Sequence, residues 1–156
     1  MKKFDKFPLK EPVSEFLKEI NSPKDLKKLN LEQLHILADE LREFLLYSVS
    51  QSGGHFGAGL GAIELTIALH SILNLPDDKI VWDTGHQAYP HKIWTGRKDK
   101  MHLMRKLNGI AAFPSITESA YDAMSVGHSS TSISAALGMN EANLTKDNKK
   151  NVFAVI

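Results

Sequence analysis

The chain has 156 residues, 42% apolar and 24% charged, with a formal net charge of +1. That composition suits one ordinary globular core, and it is too balanced for a surface built to hold nucleic acid or an anionic membrane. There is no cysteine, which excludes disulfides, a thiol nucleophile, an iron–sulfur cluster and cysteine-ligated zinc.

The N-terminal stretch MKKFDKFPLK is charged and has no apolar run, so it does not read as a signal peptide. No apolar stretch approaches the ~20 residues of a membrane span. A cytoplasmic protein with no membrane or nucleic-acid partner is expected. Ser22-Pro23-Lys24-Asp25 reads as an N-cap, a first-turn proline and an acid, opening a short helix. Asn30-Leu31-Glu32-Gln33 opens a second, and Leu34, Leu37, Leu41, Phe44 and Leu45 recur at helical spacing to about Val49. A glycine cluster follows (Gly53, Gly54, Gly57, Gly59, Gly61), then an apolar stretch from Ala62 to Leu73, read as a helix buried on most sides. Leu75-Pro76-Asp77-Asp78 is a turn.

Ile80 to Trp82 is a short buried strand, Gln87 to Trp94 a short helix, and Gly96 its stop. Met101 to Lys106 is a helical turn or two. Residues 107–126 form a long ordered loop. Ser129 to Asn143 is helical, and NVFAVI is an apolar strand. Strands alternating with helices imply an α/β fold with a parallel sheet and flanking helices. In such sheets ligands gather beyond the carboxyl ends of strands. The last strand stops at Ile156, so the site is expected to be completed by residues beyond it.

Several standard signatures are missing. GAGLGA has the wrong glycine spacing for a dinucleotide loop and follows a helix. No phosphate-binding loop of the GxxxxGK[ST] type and no HExxH zinc motif occurs. VGHSSTS resembles a nucleophile elbow around Ser129, but Thr131 stands where the second glycine is needed. A serine hydrolase is therefore a weak rival. The same segment could bind an anion at a helix N-terminus; simple N-capping by Ser129 or Ser130 is the blander reading. Glu64 and His70 interrupt the most apolar helix, with Glu64 expected to be paired in the interior or at an interface.

Three of the seven histidines directly follow glycine: Gly54-His55, Gly85-His86 and Gly127-His128. A lone loop histidine is usually structural or solvated, whereas three at such junctions point to one polar pocket. Imidazole there could donate to phosphate or move protons near neutral pH.

Taken together, SGGHFGAGLGAIELTIALH (52–70), KIVWDTGHQAYPHKIWTGRKDK (79–100) and YDAMSVGHSSTSISAALG (121–138) closely resemble the N-terminal part of the 1-deoxy-D-xylulose-5-phosphate synthases. These are thiamine-diphosphate-dependent relatives of transketolase. The resemblance runs from about Ser22 to Ile156. It implies the N-terminal part of a transketolase-like, thiamine-diphosphate-binding domain, with 1–156 one portion of it. It implies condensation of pyruvate with glyceraldehyde 3-phosphate, releasing CO2, in a homodimeric enzyme. His86 is implied to contact the cofactor, and Gly127, His128 and Ser129 to form the segment that touches it. His55 is implied to face the reacting carbons. His91 fits the family pattern but reads as structural.

Ala58 stands where the family often has serine, a local departure. In the family the strand matching VFAVI leads into Gly-Asp-Gly, whose aspartate helps hold Mg²⁺, and the acid that activates the cofactor lies in a second domain. No metal ligand is therefore expected within 1–156, and these residues alone are expected to be inactive. A non-catalytic module, or one half of a split enzyme, is the alternative.

Overall fold

The computed structural model describes residues 6–128, 130–146 and 149–156. Near the N-terminus α1 (Pro23–Leu26) begins at Ser22, whose backbone N–H donates to Asp25 Oδ2 at 3.0 Å. The long helix α2 (Leu31–Ser52) begins where Asn30 and Gln33 cap each other reciprocally, at 2.9 Å in both directions. These are the two capping sequences read above, each satisfying helix N–H groups that have no partner within the helix.

Past α2 the glycine cluster contains a short helix, α3 (Gly57–Gly61), which sequence reasoning missed. Next comes α4 (Ile63–Ile72). It is not buried on most sides as expected. Ile63, Thr66, Ile67 and His70 face inward, while Leu65 and Ile72 are 47% and 68% exposed. Glu64 is outside the core and pairs with Arg42 of α2, with its own side chain 57% exposed. Buried leucines and isoleucines of α2 and α4 share one core with Tyr89, Ile93, Trp94, Met101 and Met104.

The sheet has two strands, β1 (Lys79–Trp82) and β2 (Val152–Val155), paired in parallel with Trp82 opposite Val155. The mixed helix–strand order and the parallel pair agree with an α/β reading. Beyond β1 the chain makes one tight turn (Gly85–Ala88) and enters α5 (Tyr89–Lys92). The expected stop at Gly96 is a kink. Gly96 is left-handed (φ 86°), and the chain then coils on through Lys98–Leu103.

Residues 107–126 lack regular structure, as expected, but they are firmly tied down; the helical turn expected to run to Lys106 ends at Leu103. Lys92 Nζ donates to the carbonyls of Ala111 (2.7 Å) and Phe113 (2.9 Å) and pairs with Glu118 (2.7 Å). The last helix, α6 (Ser132–Thr145), starts three residues later than expected. Ser130 is left-handed (φ 49°), which keeps it out of the helix. The N–H of Ser132 donates to Asp83 Oδ1 at 3.1 Å. A carboxylate from the end of β1 thus occupies the N-terminal end of α6. One of the N–H groups that an anion at that end would use is therefore already taken by a carboxylate. Among the described residues no helix is long and apolar enough to cross a membrane.

Candidate active site

The carboxyl end of β1 is tied to the segment before α6 by backbone alone. Gly85 N–H donates to the Gly127 carbonyl at 3.0 Å, and Thr84 bridges His128. This tie brings His86 and His128 to a ring-centroid separation of 4.6 Å. From the glycine-rich segment His55 folds over His86 at 3.6 Å, and it lies 6.5 Å from His128. The three glycine-preceded histidines therefore meet at one place. His86 is the buried floor, and His55 and His128 are exposed at the rim.

Phe113, which sequence reasoning did not single out, forms a wall. Its ring packs edge-on to His86 at 4.8 Å and to His128 at 5.5 Å. It sits in an aperiodic loop where no local spacing marks it, and the long-range hold of Lys92 on its carbonyl fixes its place. Tyr89 closes the inner side, its ring 6.1 Å from that of His86.

Burial, then the neighbouring His55, His128 and Arg105, push the His86 imidazole down to about 4. Near neutral pH His86 is therefore uncharged, with one N–H donor and one lone pair. The unfolded chain takes up this proton near pH 6.5, whereas the folded chain resists it down to about 4. This stabilising contribution is thus fully present above ~6.5 and is lost as pH falls through that window.

The glycines preceding the three histidines do different things. Gly54 has φ +145°, and a Cβ there would lie 2.9 Å from the Tyr89 hydroxyl oxygen. At Gly85 a Cβ would lie 2.2 Å from Phe113 Cδ1 and 2.4 Å from Cγ, so this glycine makes room for the aromatic wall. Gly127 has open space around it, so nothing there requires glycine. Gly85→Ala is expected to cost ~1–3 kcal/mol, as overpacking does. In a Phe113→Ala background most of that cost should vanish. Urea unfolding of the four proteins of this cycle tests it, and an undiminished cost would mean that Gly85 serves the backbone instead.

Ser129, expected beside the cofactor and as the rival hydrolase's nucleophile, lies outside the described residues. His91 does not join the cluster. It lies in a second buried network with His70 and Asp122. Among the described residues no group of three or more His, Asp or Glu is placed to hold a metal ion.

Residues 17–156 match the family model described as 1-deoxy-D-xylulose-5-phosphate synthase. The chain belongs to that family. It is 58% identical over 153 residues to the 1-deoxy-D-xylulose-5-phosphate synthase of Ectopseudomonas mendocina (strain ymp), covering 98% of this chain and 24% of the relative. To that of Chromohalobacter salexigens it is 57% identical over 156 residues, covering 100% and 24%. To that of a Marinomonas species (strain MWYL1) it is 59% identical over 139 residues, covering 89% and 22%. The chain thus spans about a quarter of the length of these family members.

Proposed function

We propose that residues 1–156 are the N-terminal portion of a thiamine-diphosphate-binding, transketolase-like domain. The protein carrying them condenses pyruvate with glyceraldehyde 3-phosphate to give 1-deoxy-D-xylulose 5-phosphate and CO2. The observation that carries this reading is the meeting of His55, His86 and His128 beyond the carboxyl end of β1, where α/β sheets place their ligands. Family membership supplies the reaction.

The residues present fit one face of such a cofactor. An aromatic wall (Phe113) and a neutral buried imidazole (His86) suit a flat heteroaromatic group, and the exposed imidazoles of His55 and His128 suit its polar margin. When bound, thiamine diphosphate supplies the centre that stabilises the carbanion left by loss of CO2. In this reading His86, Gly127, His128 and Ser129 contact the cofactor. His86 orients by hydrogen bonding, since it carries no charge near pH 7. His55, exposed at the rim, faces substrate and handles a proton or orients the carbonyl. Mg²⁺ on the diphosphate would be held by residues outside 1–156, so these residues by themselves turn over nothing. A cytoplasmic homodimer belongs to the same reading and rests on the resemblance.

The test is the protein expressed from its complete reading frame, assayed for CO2 release from pyruvate with thiamine diphosphate and Mg²⁺. Release is expected to depend on glyceraldehyde 3-phosphate and to yield the five-carbon sugar phosphate. Pyruvate turnover by 1–156 alone would overturn the division of the site. No turnover by the complete protein would overturn the function.

A further inference from the structure

Beneath the three-histidine cluster runs a buried chain of hydrogen bonds that the proposed reaction does not use. His70 Nδ1 lies 2.8 Å from the Thr66 carbonyl oxygen, and His70 Nε2 lies 2.8 Å from His91 Nδ1. His91 Nε2 lies 3.0 Å from Asp122 Oδ1. Both imidazoles are 0% exposed. The two ends of this chain accept only. A carbonyl has no proton to give.

Asp122 has none to give either, because its oxygens are taken by donors. Oδ1 receives His91 Nε2 and Arg97 Nη2 (2.9 Å), and Oδ2 receives Arg97 Nη1 (2.6 Å) and the Ser115 N–H (2.8 Å). His70 Nδ1 and His91 Nε2 must therefore each carry a proton. The contact between the rings needs one more. Three protons on four nitrogens is one more than two neutral imidazoles hold.

We infer that His70 and His91 share one extra proton, forming a buried imidazolium–imidazole brace that locks α4 and α5 to the loop bearing Asp122 and Phe113. Burial of both rings opposes this charge, and so do the nearby Arg97 and Lys92. The Asp122 carboxylate, in direct contact, favours it, and Glu118 balances Lys92. Among the described residues, the other packed elements bring the Trp82 ring, 5.7 Å from His91, and the Trp94 ring, 6.1 Å from His70. Without the third proton, two lone pairs would face each other at 2.8 Å with both rings sealed from solvent. The hydrogen-bond count outweighs burial.

The brace is a positioning device. Lys92, next to His91, fixes the Phe113 carbonyl, and the Phe113 ring walls His86. The sign of its pH dependence is opposite to that of His86. Burial pushes both imidazoles down, and the extra proton is held against it by the hydrogen-bond geometry and the Asp122 carboxylate, so the cross-link is present at low pH and is lost as pH rises through the pair's own value.

Long-range ¹⁵N–¹H NMR on histidine-labelled protein, with free histidine as reference, decides it. At pH 7.0 His70 and His91 are expected to show three protonated nitrogens out of four; one per ring overturns the inference. An independent readout is the melting temperature of His70→Phe. The parent's advantage over the variant should shrink between pH 6 and 9, by roughly 2–4 °C. An advantage that is constant, or that grows with pH, overturns it as well.

Discussion

Asp122→Ala is expected to lose ~3–5 kcal/mol of folding stability, the range for removing one partner of a buried ion pair. Asp122 is 5% exposed, and its carboxylate accepts from His91, from two nitrogens of Arg97 and from the Ser115 backbone. Its removal leaves the Arg97 guanidinium, itself 5% exposed, with Glu118 and the Thr95 hydroxyl as its remaining acceptors. The loss is about a fifth or more of the ~5–15 kcal/mol that a domain commonly has. The control is Glu64→Gln. Its pair with Arg42 is half open to solvent, so that change should stay within ~1 kcal/mol. Urea midpoints of the two variants check the contrast; equal losses would mean that burial is not what gives Asp122 its weight.

The same carboxylate fixes how the fold answers acid. Burial alone would raise Asp122, but hydrogen bonds from His91 and Arg97, with the Arg97 charge, outweigh it and hold the group well below the ordinary carboxylate range. Its contribution is present above the unfolded value, ~3.9, and is lost as pH falls toward the folded one. His86 loses its contribution earlier, between ~6.5 and 4. Acid should therefore loosen the histidine cluster before it breaks the Asp122 network.

Local rules made part of this legible. Capping sequences and helical spacing gave α1 and α2, because those signals act within a few residues. They failed at α3, where Gly57, Gly59 and Gly61 argue against a helix that neighbouring packing nevertheless holds. They overstated the burial of α4, since apolar composition says nothing about how many partners are available to cover it. The repeated Gly-His pairs correctly pointed to three imidazoles meeting. Of the three preceding glycines only Gly54 is left-handed, with its φ of +145°. Gly85 answers to Phe113, and Gly127 to no steric demand. Phe113 itself, and the His70–His91–Asp122–Arg97 network, join residues far apart in the chain, and no local spacing encodes them.

His86→Ala in the complete protein is expected to lower kcat/KM by ~10²–10³-fold, the scale for removing a preorganised hydrogen-bonding group from the reacting centre. The burial that fixes His86 also fixes what kind of group it is. Pushed down to about 4, it is neutral across the working range, so its contribution is one donor and one acceptor in a set direction. Glutamine also offers a neutral donor and an acceptor. His86→Gln should therefore recover at least ~10-fold over His86→Ala, and its acid limb should no longer carry a group near pH 4. If, of the two roles proposed for it, His55 handles the proton, its exposed ring stacked on His86 at 3.6 Å is the one that glutamine cannot replace. Glutamine at position 55 should rescue nothing over alanine, because it cannot take a proton near pH 7. Rescue at 55 and none at 86 would exchange the two roles. Rescue at neither would make both proton carriers, and the neutral, orienting role of His86 would fall.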